Sequence, residues 1–307
     1  MEVILQLFIL IFGFLLLVKG ADFFVDGSSK IAKKFGISEL IIGLTIVAMG
    51  TSAPETAVSI AAALKGTADI SIGNVVGSNI LNILIILGMS ALITKIKIEK
   101  STLFIEIPYM LLASVVLLII GKSQQTITIQ EGLILIMMFI LYLLYLFWLS
   151  QKENEEEIPP QYSFLGCLLL IVLGILFVMI GSQLVVKAAT QIAHSLHLSQ
   201  RFIGLTIVAF GTSLPELVTS LQAARKNNAG IAIGNIVGSN IFNILFIVGG
   251  VSLICPVPFE SKFIVDTFVA IGSGCLLWLL TIYHHELNRI SGLLMLFFYV
   301  MYLIYLC

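Results

Sequence analysis

Apolar residues in this chain come in long continuous blocks, not in the alternating or one-faced patterns of a soluble fold. Blocks of about twenty residues lie near 3–19, 39–63, 70–94, 102–121, 129–150, 163–186, 200–224, 230–255, 263–283 and 290–307. A helix of about 20 apolar residues crosses the hydrocarbon of a bilayer. The pattern therefore predicts an all-α integral membrane protein with ten transmembrane helices. The stretch 21–38 is too polar to span and is expected to be an interfacial connection. The stretch 151–162 (QKENEEEIPPQY) is the one clear linker. The N-terminus is apolar from residue 3, with no basic leader and no small-residue cleavage site, so it reads as a retained helix.

Composition agrees with lipid as the solvent. Mean hydropathy is +1.11, and 59% of the 307 residues are hydrophobic against 11% charged. A soluble domain carries about 25% charged residues. The net charge of -1 supplies no field for nucleic acid. The four cysteines, Cys167, Cys255, Cys275 and Cys307, show no metal-binding spacing and read as small apolar residues.

Charge also orients the spans. With ten crossings, both termini share one side. The opposite side then carries eleven Lys and Arg, including the clusters Lys30, Lys33, Lys34 and Lys95, Lys97, Lys100. The terminal side carries five: Lys65, Lys122, Lys187, Arg201 and Lys262. Positive loops stay in the cytoplasm. The termini are therefore expected outside a cell membrane, and the 151–162 linker inside.

The chain is a duplication. IGLTIVAMGTSAPE at 42–55 returns as IGLTIVAFGTSLPE at 203–216, and IGNVVGSNILNIL at 72–84 returns as IGNIVGSNIFNIL at 233–245. The offset is 161, and 31 of the 47 positions from 42 to 88 are identical to their partners. The expected organisation is a first five-helix repeat at 1–150, the linker, and a second at 163–307. Five is odd, so the second copy enters from the opposite face. Such inverted repeats place a binding site at the midplane between them.

The repeated motifs carry oxygen chemistry. Pro54 lacks an N–H and clashes with the carbonyl four residues back, so the helix is expected to break near Gly50. Carbonyls freed within a membrane must line a cavity or meet a partner. Ser52, Glu55 and Ser59 share one face of that helix, as do Ser213, Glu216 and Ser220 in the second copy. Asn74, Ser78 and Asn82 form a stripe at i, i+4, i+8, repeated by Asn235, Ser239 and Asn243. Gly73 and Gly77, like Gly234 and Gly238, make small faces for close helix packing. No Lys or Arg lies in the four motif segments to neutralise Glu55 or Glu216. A carboxylate in hydrocarbon must be paired, protonated or bound to a cation. Oxygen ligands suit hard cations such as Ca²⁺, whereas transition metals favour imidazole or thiolate. Asn74, Asn79, Asn235 and Asn240 suit interhelical hydrogen bonding as well as ion contact. Glu106, Glu131, Asp266 and Glu286 fall near predicted helix ends and are expected at the interface. His284 and His285 are expected in a solvated loop.

GTSAPE followed by GNVVGSN, then GTSLPE followed by GNIVGSN, resembles the paired repeats of the sodium/calcium exchanger family, within the calcium:cation antiporter superfamily. The resemblance implies Na⁺-driven Ca²⁺ movement by alternating access, with helices one and six sliding past a rigid core. It implies ligands at Ala48 (carbonyl), Thr51, Ser52, Glu55, Ser78 and Asn82, and at Ala209 (carbonyl), Thr212, Ser213, Glu216, Ser239 and Asn243. Ca²⁺ would lie between Glu55 and Glu216, with Na⁺ at flanking sites. Some members, the potassium-dependent branch among them, carry Asp where Asn243 stands here. With only two carboxylates, one Ca²⁺ or two Na⁺ neutralises the site, and a third Na⁺ would make the cycle carry charge. The short linker lacks the regulatory calcium-binding domains of animal exchangers, which implies the prokaryotic type. The partners expected are Ca²⁺, Na⁺ and lipid, with no cofactor beyond the transported ions and no nucleic acid, and the chain working as a monomer. H⁺/Ca²⁺ exchange through the same glutamates is the alternative, although related proton exchangers usually show a GNxxE-type motif. A passive channel fits less well because buried acids between inverted repeats suit an occluded site rather than an open pore, and an intramembrane enzyme because no metal-ligand cluster or Ser/His/Asp set accompanies the acids.

Overall fold

A computed structural model describes residues 2–152, 163–195 and 209–306. Helix α1 is Glu2–Phe35, α2 Glu39–Thr51, α3 Ala53–Leu64, α4 Asp69–Ile93, α5 Thr102–Gln124 and α6 Ile129–Lys152. After the linker come α7 Phe164–Ser195, α8 Ala209–Thr212, α9 Leu214–Arg225, α10 Ala229–Ile254, α11 Ser261–Thr281 and α12 Arg289–Leu306. Among the described residues eight helices are long and apolar enough to cross a membrane, and the bent pair α2–α3 makes a ninth. The expected span 200–224 begins outside the described residues, as does nearly all of the 151–162 linker. The protein is an all-α, multi-pass membrane protein.

The stretch 21–38 is not a separate connection after the first helix. Helix α1 runs unbroken to Phe35. Counting polar residues misled here because they have partners across the fold. Lys226 pairs with Asp22 at 3.0 Å and Asp26 at 2.7 Å, and Ser29 donates to Glu39 at 2.5 Å. The helix ends at Gly36, whose φ of +61° suits a residue without a side chain.

Helices α1 and α7 pack along their lengths through glycines. A Cβ on Gly174 would sit 2.6 Å from the Phe24 nitrogen, and one on Gly181 would sit 2.8 Å from the Gly13 carbonyl oxygen. This pair forms small apolar clusters of its own, around Phe24 and around Leu17. The main core instead joins α4, α5, α6, α10 and α11. Helix α10 is its buried axis. Gly234 and Gly238 let the backbone of α2 lie directly on it, against Leu40 and Leu44. The matching contact of Gly73 and Gly77 would fall on residues outside those described.

Short antiparallel pairings tie loops of the two halves together. Strand β1 (Ile96–Lys97) pairs with β4 (Glu286–Leu287), and β2 (Thr126–Ile127) pairs with β3 (Val257–Pro258). His285 sits in the loop before β4, and its carbonyl accepts from the Ile98 amide. Thr128 and Glu131 cap α6, the Thr128 amide donating to Glu131 Oε2 at 2.8 Å.

Candidate functional site: a buried oxygen cluster between the two halves

The proline break forms as expected, and it positions the acids. Helices α2 and α3 meet at 45°. Ser52 is the break residue, with φ −82° and ψ 11°, and Ser213 takes φ −88° and ψ 6° between α8 and α9. Each proline then stands in the first turn of the following helix, where its missing N–H costs nothing. The same turn holds Glu55 in α3 and Glu216 in α9. Breaking a helix in mid-membrane thus puts a serine hydroxyl and a carboxylate at one depth.

The two halves complete each other's acids. Ser52 donates to Glu216 Oε1 at 2.9 Å, and Ser213 donates to Glu55 Oε1 at 3.2 Å. Thr212 also stands against the Glu55 carboxyl, and Thr51 against that of Glu216. Both glutamates are fully buried and close enough to repel each other. Asn74 holds α3 from behind, donating to the Glu55 carbonyl at 3.2 Å and to Ser59 at 3.1 Å. Asn235 repeats this on the Glu216 carbonyl at 3.4 Å and Ser220 at 2.8 Å. Its own amide oxygen accepts from Thr51 at 2.9 Å.

The other predicted residues converge on the same place. The Ser213 and Ser78 hydroxyl oxygens lie 3.2 Å apart, within hydrogen-bond distance, and Ser239 donates to the Ala48 carbonyl at 3.3 Å. Asn82 and Asn243 lie one turn beyond Ser78 and Ser239. Each opens a π-helical turn, Asn82–Leu87 and Asn243–Val248, a feature common at functional sites. The Ala209 side chain falls outside what is described.

Asn79 and Asn240, equally suited by sequence to ion contact and to helix joining, link the two halves directly. Asn79 donates to the Asn240 carbonyl at 3.1 Å, and Asn240 donates to the Asn79 carbonyl at 3.1 Å. Asn82 donates to Asn240 Oδ1 at 2.9 Å, and Asn243 to Asn79 Oδ1 at 3.1 Å. The recurrence at offset 161 was the available signal. It could not distinguish an ion ligand from a residue joining helices.

What remains unpaired decides the chemistry. Glu55 Oε2, Glu216 Oε2, Asn82 Oδ1 and Asn243 Oδ1 are buried without a hydrogen-bond partner among the described residues. All four are acceptors. The ion pairs among the described residues all lie elsewhere. Buried polar groups require partners, and four lone acceptors, two of them on the acids themselves, suit a hard cation. No group of three His, Cys, Asp or Glu side chains is found among the described residues. The oxygens come instead from hydroxyls, amides and two carboxylates.

Comparison with known proteins points the same way. The sequence pattern of the family described as "Sodium/calcium exchanger protein" matches residues 5–148 and 167–307. The chain is 34% identical to the sodium/calcium exchanger MaX1 of Methanosarcina acetivorans, over 97% of each. It is 36% identical to the inner membrane protein YrbG of Escherichia coli, over 88% of each. A solved structure of the sodium-calcium exchanger NCX_Mj, soaked with zero Na⁺ and Ca²⁺, superposes with a TM-score of 0.87 at 36% identity, covering 99% of this chain and 100% of that one. The family consists of transporters rather than enzymes, and they work without a cofactor. The duplicated motifs, the buried oxygen cluster and these likenesses agree: this chain belongs to the sodium/calcium exchanger family of membrane cation exchangers.

Proposed function

We propose that the chain is a secondary-active antiporter that exchanges Na⁺ for Ca²⁺ by alternating access at one midplane site. The observation that carries this reading is the cross-bonded pair of buried glutamates, each with one oxygen left free. Ca²⁺ lies between Glu55 and Glu216, with Thr51 and Thr212 beside it. Na⁺ takes flanking positions that share the carboxylates and use Ser52, Ser78, Ser213 and Ser239 with the carbonyls of Ala48 and Ala209. Asn82 and Asn243 offer their free amide oxygens. A site charge of -2 is neutralised by one Ca²⁺ or by two Na⁺, so either load can be buried but the empty site cannot. That rule couples the two fluxes. The bonds repeated at offset 161 support two inverted five-helix halves, 1–150 and 163–307. The excess of Lys and Arg on one side supports both termini outside a cell membrane and the 151–162 linker in the cytoplasm, and the chain works as a monomer. Calcium uptake into vesicles of the purified protein, driven in turn by outward Na⁺, K⁺ or H⁺ gradients, tests the reading. Uptake should follow the Na⁺ gradient. Uptake that follows only the H⁺ gradient would replace Na⁺ with protons on the same glutamates.

A further inference from the structure

Glu106 is not interfacial, as its place near a predicted helix end suggests. It is fully buried in the first turns of α5, and Tyr145 of α6 donates to its Oε1 at 2.6 Å. Its other oxygen, Oε2, has no partner. Neither do three buried hydroxyl oxygens around it, those of Ser101, Thr102 and Tyr142. Ser101 and Thr102 turn toward the carboxyl without completing a hydrogen bond, and the Tyr142 ring lies beside it. The backbone here is a π-helical turn, Thr102–Glu106. Pro108 explains it: the ring removes an N–H, and the freed Leu103 carbonyl accepts from the Trp278 indole at 2.9 Å instead.

The second half carries the same acid with two tyrosines, at an offset of 160: Asp266, Tyr302 and Tyr305 answer Glu106, Tyr142 and Tyr145. There the shorter acid meets the first tyrosine directly, Tyr302 donating to Asp266 at 2.9 Å. Glu106 has one more methylene and reaches past Tyr142 to Tyr145. One copy is paired, and the other leaves four oxygens without a hydrogen-bond partner among the described residues. A carboxylate buried without Lys or Arg must be protonated or bound to a cation. A single carboxylate matches a monovalent ion, whereas a divalent one would leave an uncompensated charge in lipid.

We propose that Glu106, Ser101, Thr102 and Tyr142 form a second, peripheral binding site for a small monovalent cation, Na⁺, separate from the central cluster. Phe139, one turn from Tyr142 on α6, packs on Phe242 beside Asn243, so the site abuts the helix that carries the central ligands. The proposal does not rest on the transport reading, because its test measures binding.

The test is thermal unfolding of the purified Glu55→Gln/Glu216→Gln protein, titrated with NaCl against N-methylglucamine chloride at constant ionic strength, at two pH values. The melting temperature should rise with Na⁺ and saturate. Adding Glu106→Gln should flatten the response. Adding Glu106→Asp should flatten it too, although it keeps the charge, because the shorter acid meets Tyr142 as Asp266 meets Tyr302. Tyr142→Phe, which leaves the carboxylate in place, should raise the half-saturating Na⁺ concentration about tenfold, the loss of roughly one ligand. No Na⁺ response in the starting protein, or a response that survives Glu106→Gln, overturns the site. Stabilisation by acid that ignores Na⁺ assigns the four oxygens to a proton with water and also overturns it.

Discussion

Ser52 and Glu216 are joined by a 2.9 Å hydrogen bond that runs from the helix break of one half to the acid of the other. Ser213 and Glu55 form the reciprocal bond at 3.2 Å. Neither half therefore holds a finished site. A hydrogen bond to a charged acceptor contributes about 1.5–3 kcal/mol. Ser52→Ala should therefore raise the Ca²⁺ concentration for half-maximal uptake roughly 10- to 100-fold. Ser213→Ala should do so to a similar extent. The measurement is the Ca²⁺ dependence of initial uptake rates.

The α1–α7 interface tolerates no added atoms. A Cβ on Gly174 meets the backbone of Phe24, with its nitrogen at 2.6 Å and its Cα at 2.8 Å. Backbone cannot swing aside, so Gly174→Ala should destabilise the protein by about 1–3 kcal/mol. Gly272→Ala is the control. A Cβ there meets nothing within 4 Å among the described residues. It should be neutral or stabilising by about 0.5–1 kcal/mol. Thermal unfolding in detergent distinguishes the two.

The Asn79–Asn240 pair joins α4 to α10 through four hydrogen bonds that include Asn82 and Asn243. Asn240→Ala removes the donor to the Asn79 carbonyl and the acceptor for Asn82. Interhelical hydrogen bonds in membranes contribute about 0.6–2 kcal/mol each. Asn240→Ala and Asn79→Ala should therefore each cost roughly 1–3 kcal/mol, equally in the two halves, when unfolding is followed by temperature or denaturant.

Lys226 fastens α9 to α1, and its charge sets a pH limit. Partial burial pulls its pKa down, but the hydrogen bonds to Asp26 and Asp22 more than offset this and raise it above the ordinary lysine value. A raised pKa stabilises the folded state below the ordinary lysine value, and the benefit is lost as pH climbs through the folded value. Unfolding temperature should therefore fall more steeply above about pH 10.5 in the parent protein than in Lys226→Met. At neutral pH that substitution should cost on the order of 1 kcal/mol, because the pair is partly exposed. A parallel pH series of melts on both proteins measures this.

Much of this was legible in the residues, and the failures share one cause. The spans, the offset of 161 and the break at Pro54 follow from hydropathy, repetition and the missing proline N–H, whereas the meeting of Ser78 with Ser213 was implied by the family resemblance. The extension of α1 to Phe35 and the burial of Glu106 do not. Each depends on a partner far away in sequence: Lys226 for Asp22 and Asp26, and Tyr145 for Glu106. Local polarity shows that a residue needs a partner and cannot show that the fold supplies one. The asparagines mark the same limit from the other side. Asn79 and Asn82 are three residues apart on one helix, yet Asn79 spends its whole amide on the partner half while Asn82 keeps a free oxygen.

In the proposed cycle Glu55 and Glu216 are the shared carboxylates of one cation site. Equilibrium binding of radioactive Ca²⁺ to the purified protein, in Na⁺-free buffer and then with rising Na⁺, tests it most directly. One saturable Ca²⁺ site per chain, displaced by Na⁺, is expected. Either Glu55→Gln or Glu216→Gln should weaken binding at least about 100-fold, since each removes one of only two compensating charges. Full Ca²⁺ affinity in either variant, or binding that Na⁺ cannot displace, would contradict it.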